Sequence, residues 1–140
     1  MKAVRVNPET SARLPVGCIC GSGRFWEEIQ RQRRRLTLEN KIVVGPEVKA
    51  DNTPDADRDG SLAKAALDEL HLRKIDLSTE VLVVDIDTVI PGSYSYLGPS
   101  TTKEIAYAES REIPVTRLSE LSARGYVLGP ACRVPLRIVR

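Results

Sequence analysis

The sequence has few of the residues that build disulfide frameworks, metal centres and base-stacking surfaces. It contains three cysteines, one histidine, one tryptophan, one phenylalanine and four tyrosines in 140 residues. The net charge of +2 is too small to indicate a polyanionic partner. No apolar run approaches the length of a membrane-spanning helix. We therefore expect neither a nucleic-acid partner nor a membrane partner.

The remaining composition, 41% hydrophobic and 29% charged, is typical of a globular domain. We expect a single domain over residues 1–140, a usual size for one, with residues 1–15 as an irregular arm or edge strand. Because those first residues lack an apolar core, they do not resemble a signal peptide, and we expect a cytoplasmic protein.

Two of the cysteines alternate within one apolar run. Cys18 and Cys20 should therefore point to the same face of a strand. A C-x-C pair without a second cluster is a poor metal site in a chain with one histidine. We expect both cysteines to be small buried core residues, and we expect no metal and no cofactor.

Short apolar runs alternate along the chain with segments of helical periodicity. Strands are predicted at 16–20, 42–44, 81–86, from 113, and at an edge position over 132–139; helices are predicted at 25–38, 61–75, 100–111 and 119–124. In the second helix, Ala63, Ala66, Leu67 and Leu70 are the predicted inner stripe. This alternation predicts an α/β fold with a mainly parallel sheet of four to five strands between two helical layers.

A carboxylate follows the most apolar predicted strand, beyond a loop rich in glycine, proline and serine. The next helix is predicted to begin at Ser100 or Thr101, which places Glu104 in its first turn. Ligands of parallel sheets bind beyond the carboxyl ends of the strands, where such an acid can serve as nucleophile or general acid/base. Thr101-x-x-Glu104 is also the spacing of a capping box, so both interpretations stay open.

Other candidate groups are predicted at the same edge or in the second helix. Gly21-Ser22-Gly23-Arg24 is either an anion-binding turn or an ordinary tight turn. Asp85 ends an apolar run. His71 is the only histidine and is either a catalyst or a helix residue whose polar groups are hydrogen-bonded.

The basic run at 31–35, in the first predicted helix, is interpreted as a solvated helix face.

Four segments together resemble the nucleoside 2-deoxyribosyltransferase-like superfamily, which includes deoxyribosyltransferases and nucleoside 5′-monophosphate N-glycosidases. They are Cys20-Gly21-Ser22-Gly23-Arg24, residues 67–76 with the strand that follows, residues 98–108, and Ile113-Pro114-Val115. Residues 98–108 are similar to the family pattern G-x-S/T-x-x-x-E-I-x-Y-A. The resemblance spans residues 16–118 and rests on the order and spacing of these segments.

The resemblance implies a flavodoxin-like three-layer sandwich that cleaves the N-glycosidic bond of a (deoxy)nucleoside or nucleoside 5′-monophosphate, by transfer or by hydrolysis. It implies Glu104 as nucleophile, a proton-handling residue among Asp68, Glu69 and His71, and a homodimer or larger homo-oligomer. The implied substrate-binding residues are Cys20, Gly21, Ser22, Gly23, Arg24, Asp85, Gly98, Ser100 and Thr101. The alternative is a non-catalytic nucleotide-binding or sensing domain on the same scaffold, favoured by Cys20 where many members have tyrosine.

Overall fold

The computed structural model of the chain describes residues 14–48 and 60–125. The strands are β1 (Val16–Gly21), β2 (Ile42–Val44), β3 (Glu80–Val84) and β4 (Val115–Arg117). The helices are α1 (Trp26–Leu38), α2 (Gly60–Leu77), α3 (Pro99–Ser110) and α4 (Leu118–Ala123), and a short 3₁₀ turn, Gly23–Phe25, precedes α1.

The four strands form one sheet in the order β2-β1-β3-β4, and every neighbouring pair is parallel. The longest register joins the two central strands, from Gly17 opposite Glu80 to Gly21 opposite Val84. Helices α1 and α4 cover one face, and α2 and α3 cover the other. The predicted α/β sandwich with a parallel central sheet is thereby confirmed, consistent with a flavodoxin-like three-layer arrangement.

Side chains of β1 divide between the two hydrophobic cores, because successive residues of a strand point to opposite faces. Ile19 packs with Ile29 of α1 and Leu118 of α4. Cys18 and Cys20 pack on the other face, in the core that contains Ile75 of α2. The prediction that the two cysteines share a face and are buried is confirmed.

Most element boundaries agree with the sequence prediction to within a few residues. Helix α1 ends before Asn40, whose positive φ of 67° lets the chain turn toward β2. Helix α3 begins at Pro99, since proline is well suited to the first helical position. The predicted strand over 132–139, with Cys132, lies outside the described residues, as does nearly all of the predicted arm.

The predicted inner stripe of α2 is wrong. Ala66, Leu67 and Leu70 are exposed, whereas His71 and Ile75 are buried against the sheet. The side chain of Ala63 lies outside the described residues. Apolar residues occur on both sides of this helix, so their positions alone predicted the wrong side as the buried one. The side that is buried carries the polar His71.

Basic residues of α1 are also less solvated than predicted. Arg35 is buried and donates to Gln32 and Glu39, while Arg31 pairs with Glu28 and Asp87. In these pairs the guanidinium groups of Arg31 and Arg35 contact acidic and amide side chains of the fold. Among the described helices, none is both long and apolar enough to cross a membrane.

Candidate functional site

The order of the strands places a topological switch point between β1 and β3. The chain leaves β1 for β2 on one side and then returns to β3 on the other side of β1. Ligands of open parallel sheets bind at such a switch point, beyond the carboxyl ends of the two strands. Here Cys20 and Gly21 end β1, while Asp85 directly follows β3.

Four side chains meet on the α2/α3 face of β1, and we call them the Cys-His-Glu cluster: Cys18, Cys20, His71 and Glu104. His71 Nε2 lies 3.2 Å from Cys20 Sγ and 3.9 Å from Cys18 Sγ. The same nitrogen lies 3.7 Å from Glu104 Oε1. Both cysteines are fully buried, and the Glu104 side chain is 13% exposed.

Glu104 is free of the capping role that its spacing allowed. The N-cap of α3 is Gly98, in an extended conformation, and it makes no side-chain cap hydrogen bond. Thr101 and Glu104 are the third and sixth helical residues, whereas a capping box needs them at the N-cap and the third position. The capping interpretation is therefore wrong, as is the prediction of Glu104 in the first turn, because the helix starts earlier than predicted.

Burial and neighbouring charges set the ionisation of Glu104 and His71. Burial raises the pKa of Glu104 above its ordinary 4.5, opposed by the charge of His71. Burial alone would lower the pKa of His71, but its hydrogen bond to Cys18 and the charge of Glu104 outweigh burial and raise it above 6.5. The raised pKa of His71 favours its protonated form, whereas the raised pKa of Glu104 disfavours its ionised form. An acid and a base in contact are the groups that a general acid next to a nucleophile requires.

The two thiols are shifted in opposite directions. The hydrogen bond from Cys20, helped by His71 and Lys74, lowers the pKa of Cys18 to about 6, although burial opposes the shift. The pKa of Cys20 is raised because its thiol hydrogen-bonds to Cys18, because it is buried, and because Glu104 lies near. The thiol with the lower pKa is therefore that of Cys18, and both lie on the same face of the strand.

The glycine turn after β1 has mainly structural contacts. A Cβ added at Gly21 would lie 2.8 Å from the carbonyl oxygen of Val84, so packing of β1 against β3 requires glycine there. Ser22 Oγ accepts from the Arg24 amide, and a Cβ at Gly23 would meet nothing within 4 Å. The described structure therefore explains Gly21 and leaves space beside Gly23.

The turn contacts the loop that precedes α3, as expected for two segments at one sheet edge. The Arg24 guanidinium stacks 3.7 Å above the centroid of the Tyr96 ring. Tyr96 in turn approaches Gly98, where an added Cβ would lie 3.4 Å from its hydroxyl. The predicted substrate-binding segments around residues 20–24 and 98–101 are thus brought together.

Asp85 serves the fold at this edge. Its fully buried carboxylate accepts hydrogen bonds from Ser95 Oγ, from Arg117 Nε, and from both the backbone amide and Oγ of Ser119. A carboxylate has about four acceptor sites, and these donors use that capacity. Through these hydrogen bonds Asp85 links β4 and α4 to the end of β3.

The structure distinguishes the proton-handling candidates on α2. His71 faces Glu104, whereas the Glu69 side chain is 64% exposed and pairs with Arg73. Asp68 is close enough for its charge to raise the pKa of Glu104, and it pairs with Lys64. Of the three candidates, Asp68, Glu69 and His71, only His71 has a described contact with Glu104.

Two contacts were missed by sequence reasoning. Lys64 Nζ donates to Ser100 Oγ at 2.9 Å, which ties α2 to the first turn of α3. Cys18 approaches His71 although 53 positions separate them in the chain. The alternation of Cys18 and Cys20 predicted that both lie on one face of the strand. No local sequence pattern predicted that His71 contacts them. Thr101, another predicted binding residue, is buried.

A cavity of about 280 Å³ lies away from the Cys-His-Glu cluster. It is lined near the amino ends of the strands by Gly17, Glu80 and Val81, and beside them by Arg35 and Lys41. Since ligands of parallel sheets bind at the opposite edge, we do not assign the substrate to this cavity.

Comparison of the chain with protein-family models, with curated proteins and with solved structures gives no match.

Proposed function

We propose that the protein cleaves the N-glycosidic bond of a (deoxy)nucleoside or nucleoside 5′-monophosphate, with Glu104 as the nucleophile. The observation that carries the proposal is the position of the Glu104 carboxylate, which is free of helix capping and 3.7 Å from His71. This pair lies on the sheet face next to the β1/β3 switch point, and ligands of open parallel sheets bind at such points. The motif resemblance supplies the substrate class.

The proposed chemistry uses a carboxylate against an oxocarbenium-like transition state. A Glu104 oxygen bonds to C1′ of the sugar as the bond from C1′ to the base nitrogen breaks. The electron pair leaves with the base, which takes a proton from the His71 imidazolium. Water then attacks C1′ and releases Glu104, giving its proton to His71; an incoming base in place of water gives transfer.

His71 is the proposed proton donor because it meets both requirements for the role. It contacts Glu104, and its pKa is raised because the hydrogen bond to Cys18 and the charge of Glu104 outweigh the effect of burial. A group that donates a proton near neutral pH is most effective when its pKa lies near that pH. The exposed Glu69 pairs with Arg73 on the solvent side of α2, and this argues against it.

The first turn of α3 is the proposed site for the 5′ end of the substrate. Backbone amides at a helix N-terminus favour anions. Ser100 lies in that turn, and Lys64 donates to its hydroxyl. Lysine and serine beside helix amides suit a 5′-phosphate, which supports a nucleotide over a nucleoside.

We further propose that two copies of the chain associate through α2. Leu67, Leu70 and Leu77 are 40%, 50% and 70% exposed, although leucine is commonly buried. They recur along one helix next to the residues that face the site. An apolar helix surface of this kind is typical of a protein–protein contact.

The activity is tested by incubating the full chain with a panel of nucleosides and 5′-monophosphates and measuring free base by chromatography. Base release from at least one compound supports the proposal, and runs with and without an acceptor base separate transfer from hydrolysis. Saturable binding without base release would contradict it and would support the non-catalytic nucleotide-binding alternative.

A further inference from the structure

The Cys-His-Glu cluster places three metal-binding donors around one imidazole nitrogen, which is itself a fourth donor. The ligand atoms of Cys18, Cys20 and His71 all lie within 4.8 Å of one another. His71 Nε2 is within 3.9 Å of both sulfurs and 3.7 Å from Glu104 Oε1. The donors come from three elements, β1, α2 and α3, so the folded sheet and helices hold them together.

The distances agree with the edges of a tetrahedral zinc site. Bond lengths of about 2.3 Å to sulfur and about 2.0–2.1 Å to nitrogen place a sulfur and a nitrogen ligand about 3.5 Å apart. The two observed sulfur–nitrogen distances, 3.2 and 3.9 Å, lie on either side of that value. The observed nitrogen–oxygen distance of 3.7 Å needs to shorten by about 0.3 Å. The distances from His71 Nε2 are therefore close to those of a tetrahedral site, while Glu104, which is not among the atoms within 4.8 Å of one another, has to move toward the sulfurs.

A linear proton relay through the histidine does not explain this geometry. A Cys–His–carboxylate relay binds the thiol at one ring nitrogen and the carboxylate at the other. Here both Cys20 and Glu104 approach Nε2. Convergence of donors on one side of the ring is what a shared central ion requires.

We propose that Cys18, Cys20 and His71 bind one Zn²⁺ ion, with Glu104 as the fourth ligand. Two sulfurs and an imidazole select a thiophilic tetrahedral ion over Mg²⁺ or Ca²⁺, which prefer oxygen ligands. Zinc in this position occupies the proposed nucleophile and the proposed proton donor. The metal site itself does not depend on the proposed function. Its consequence, reversible inhibition of base release, rests on that function.

Cobalt provides a direct spectroscopic test, because Co²⁺ replaces Zn²⁺ in tetrahedral thiolate sites. The full-length protein, reduced with a non-chelating phosphine, is titrated with CoCl₂. We expect one Co²⁺ per chain, visible d–d bands of tetrahedral cobalt, a near-ultraviolet sulfur-to-cobalt band, and bleaching by equimolar ZnCl₂. Absence of the sulfur-to-cobalt band would overturn the proposal.

Cysteine variants locate the metal. Loss of a residue that only hydrogen-bonds to a metal ligand weakens metal binding roughly 10–100-fold. Cys18→Ala and Cys20→Ala each remove a ligand, so each should weaken Zn²⁺ binding by more than that. Cys132→Ala, the matched control, should bind as tightly as the unchanged chain. Equal binding by all three variants would overturn the assignment.

The unchanged protein provides a second measurement in case a variant fails to fold. Zinc K-edge absorption of the zinc-loaded chain should show two sulfur ligands at about 2.3 Å and two nitrogen or oxygen ligands at about 2.0–2.2 Å. A shell of light atoms alone would contradict the site. Base release, assayed separately with a chelator present, tests the proposed function, so the two proposals can fail independently.

Discussion

Replacement of Gly21 by alanine should destabilise the protein by blocking the approach of β1 to β3. The new Cβ would lie 2.8 Å from the carbonyl oxygen of Val84, 3.2 Å from its Cβ and 3.4 Å from Ile29 Cδ1. The nearest of these atoms belongs to the backbone of the paired strand, so relief requires movement of the sheet. Overpacking of this kind costs about 1–3 kcal/mol, and contact with backbone favours the upper half of that range.

Gly23→Ala is the matched control, two residues away, because a Cβ there meets nothing within 4 Å. It should leave stability unchanged or raise it by about 0.4–1 kcal/mol through the unfolded state. Differential scanning calorimetry should show Gly21→Ala melting lower by roughly 8–12 °C, because about 2–3 kcal/mol lowers the melting temperature by about 4 °C per kcal/mol for a chain of this size. Equal melting temperatures for the two variants would refute the described packing at the edge that carries the site.

Three further predictions concern the site and the surface of α2. Burial raises the pKa of Glu104, so its ionised form opposes folding near neutral pH. Glu104→Gln should therefore keep or raise the melting temperature at pH 7. A loss of about 0.5–2 kcal/mol in the free energy of unfolding, which is typical of a lost helix cap, would contradict this. With a chelator present, kcat/KM should rise with pH as Glu104 ionises above pH 4.5. It should fall again as His71 loses its proton above pH 6.5, since Cys18 and Glu104 raise the pKa of His71 against the effect of burial. A flat pH profile would argue against this pair. Leu70→Lys should lower the mass measured by light scattering to that of one chain, whereas Leu38→Lys, at another exposed leucine, should not; equal masses for both variants would argue against α2 as the interface.

The parallel sheet and its order of elements could be predicted from sequence because each strand is a short apolar run and each helix has its own periodic segment. Val81–Val84 is buried on both faces, and its unbroken apolar character shows this directly. Helix α2 was oriented incorrectly because leucines lie on its exposed side and a histidine on its buried side. In such a helix, contacts with the neighbouring elements decide the orientation.

The candidate site was predictable in part. The sequence predicted Glu104 as a site residue from its position after the third strand. Whether Glu104 caps the helix depends on where the helix begins, and the helix begins at Pro99. The partnership of His71 with Cys20 joins residues 51 positions apart, so only the three-dimensional arrangement of α2 against β1 brings them together. Asp85 was predicted at the correct edge, and its four protein donors come from distant segments that sequence spacing could not identify.

The rate of base release by Glu104→Gln tests the central claim most directly, using the best substrate of the wild-type chain and Glu109→Gln as the control. Glu109 is an exposed carboxylate on the same helix. We predict that Glu104→Gln loses more than about a thousandfold in kcat, as expected when a nucleophile is removed, while Glu109→Gln keeps the wild-type rate. A Glu104→Gln variant that releases base as fast as the wild type would contradict the account.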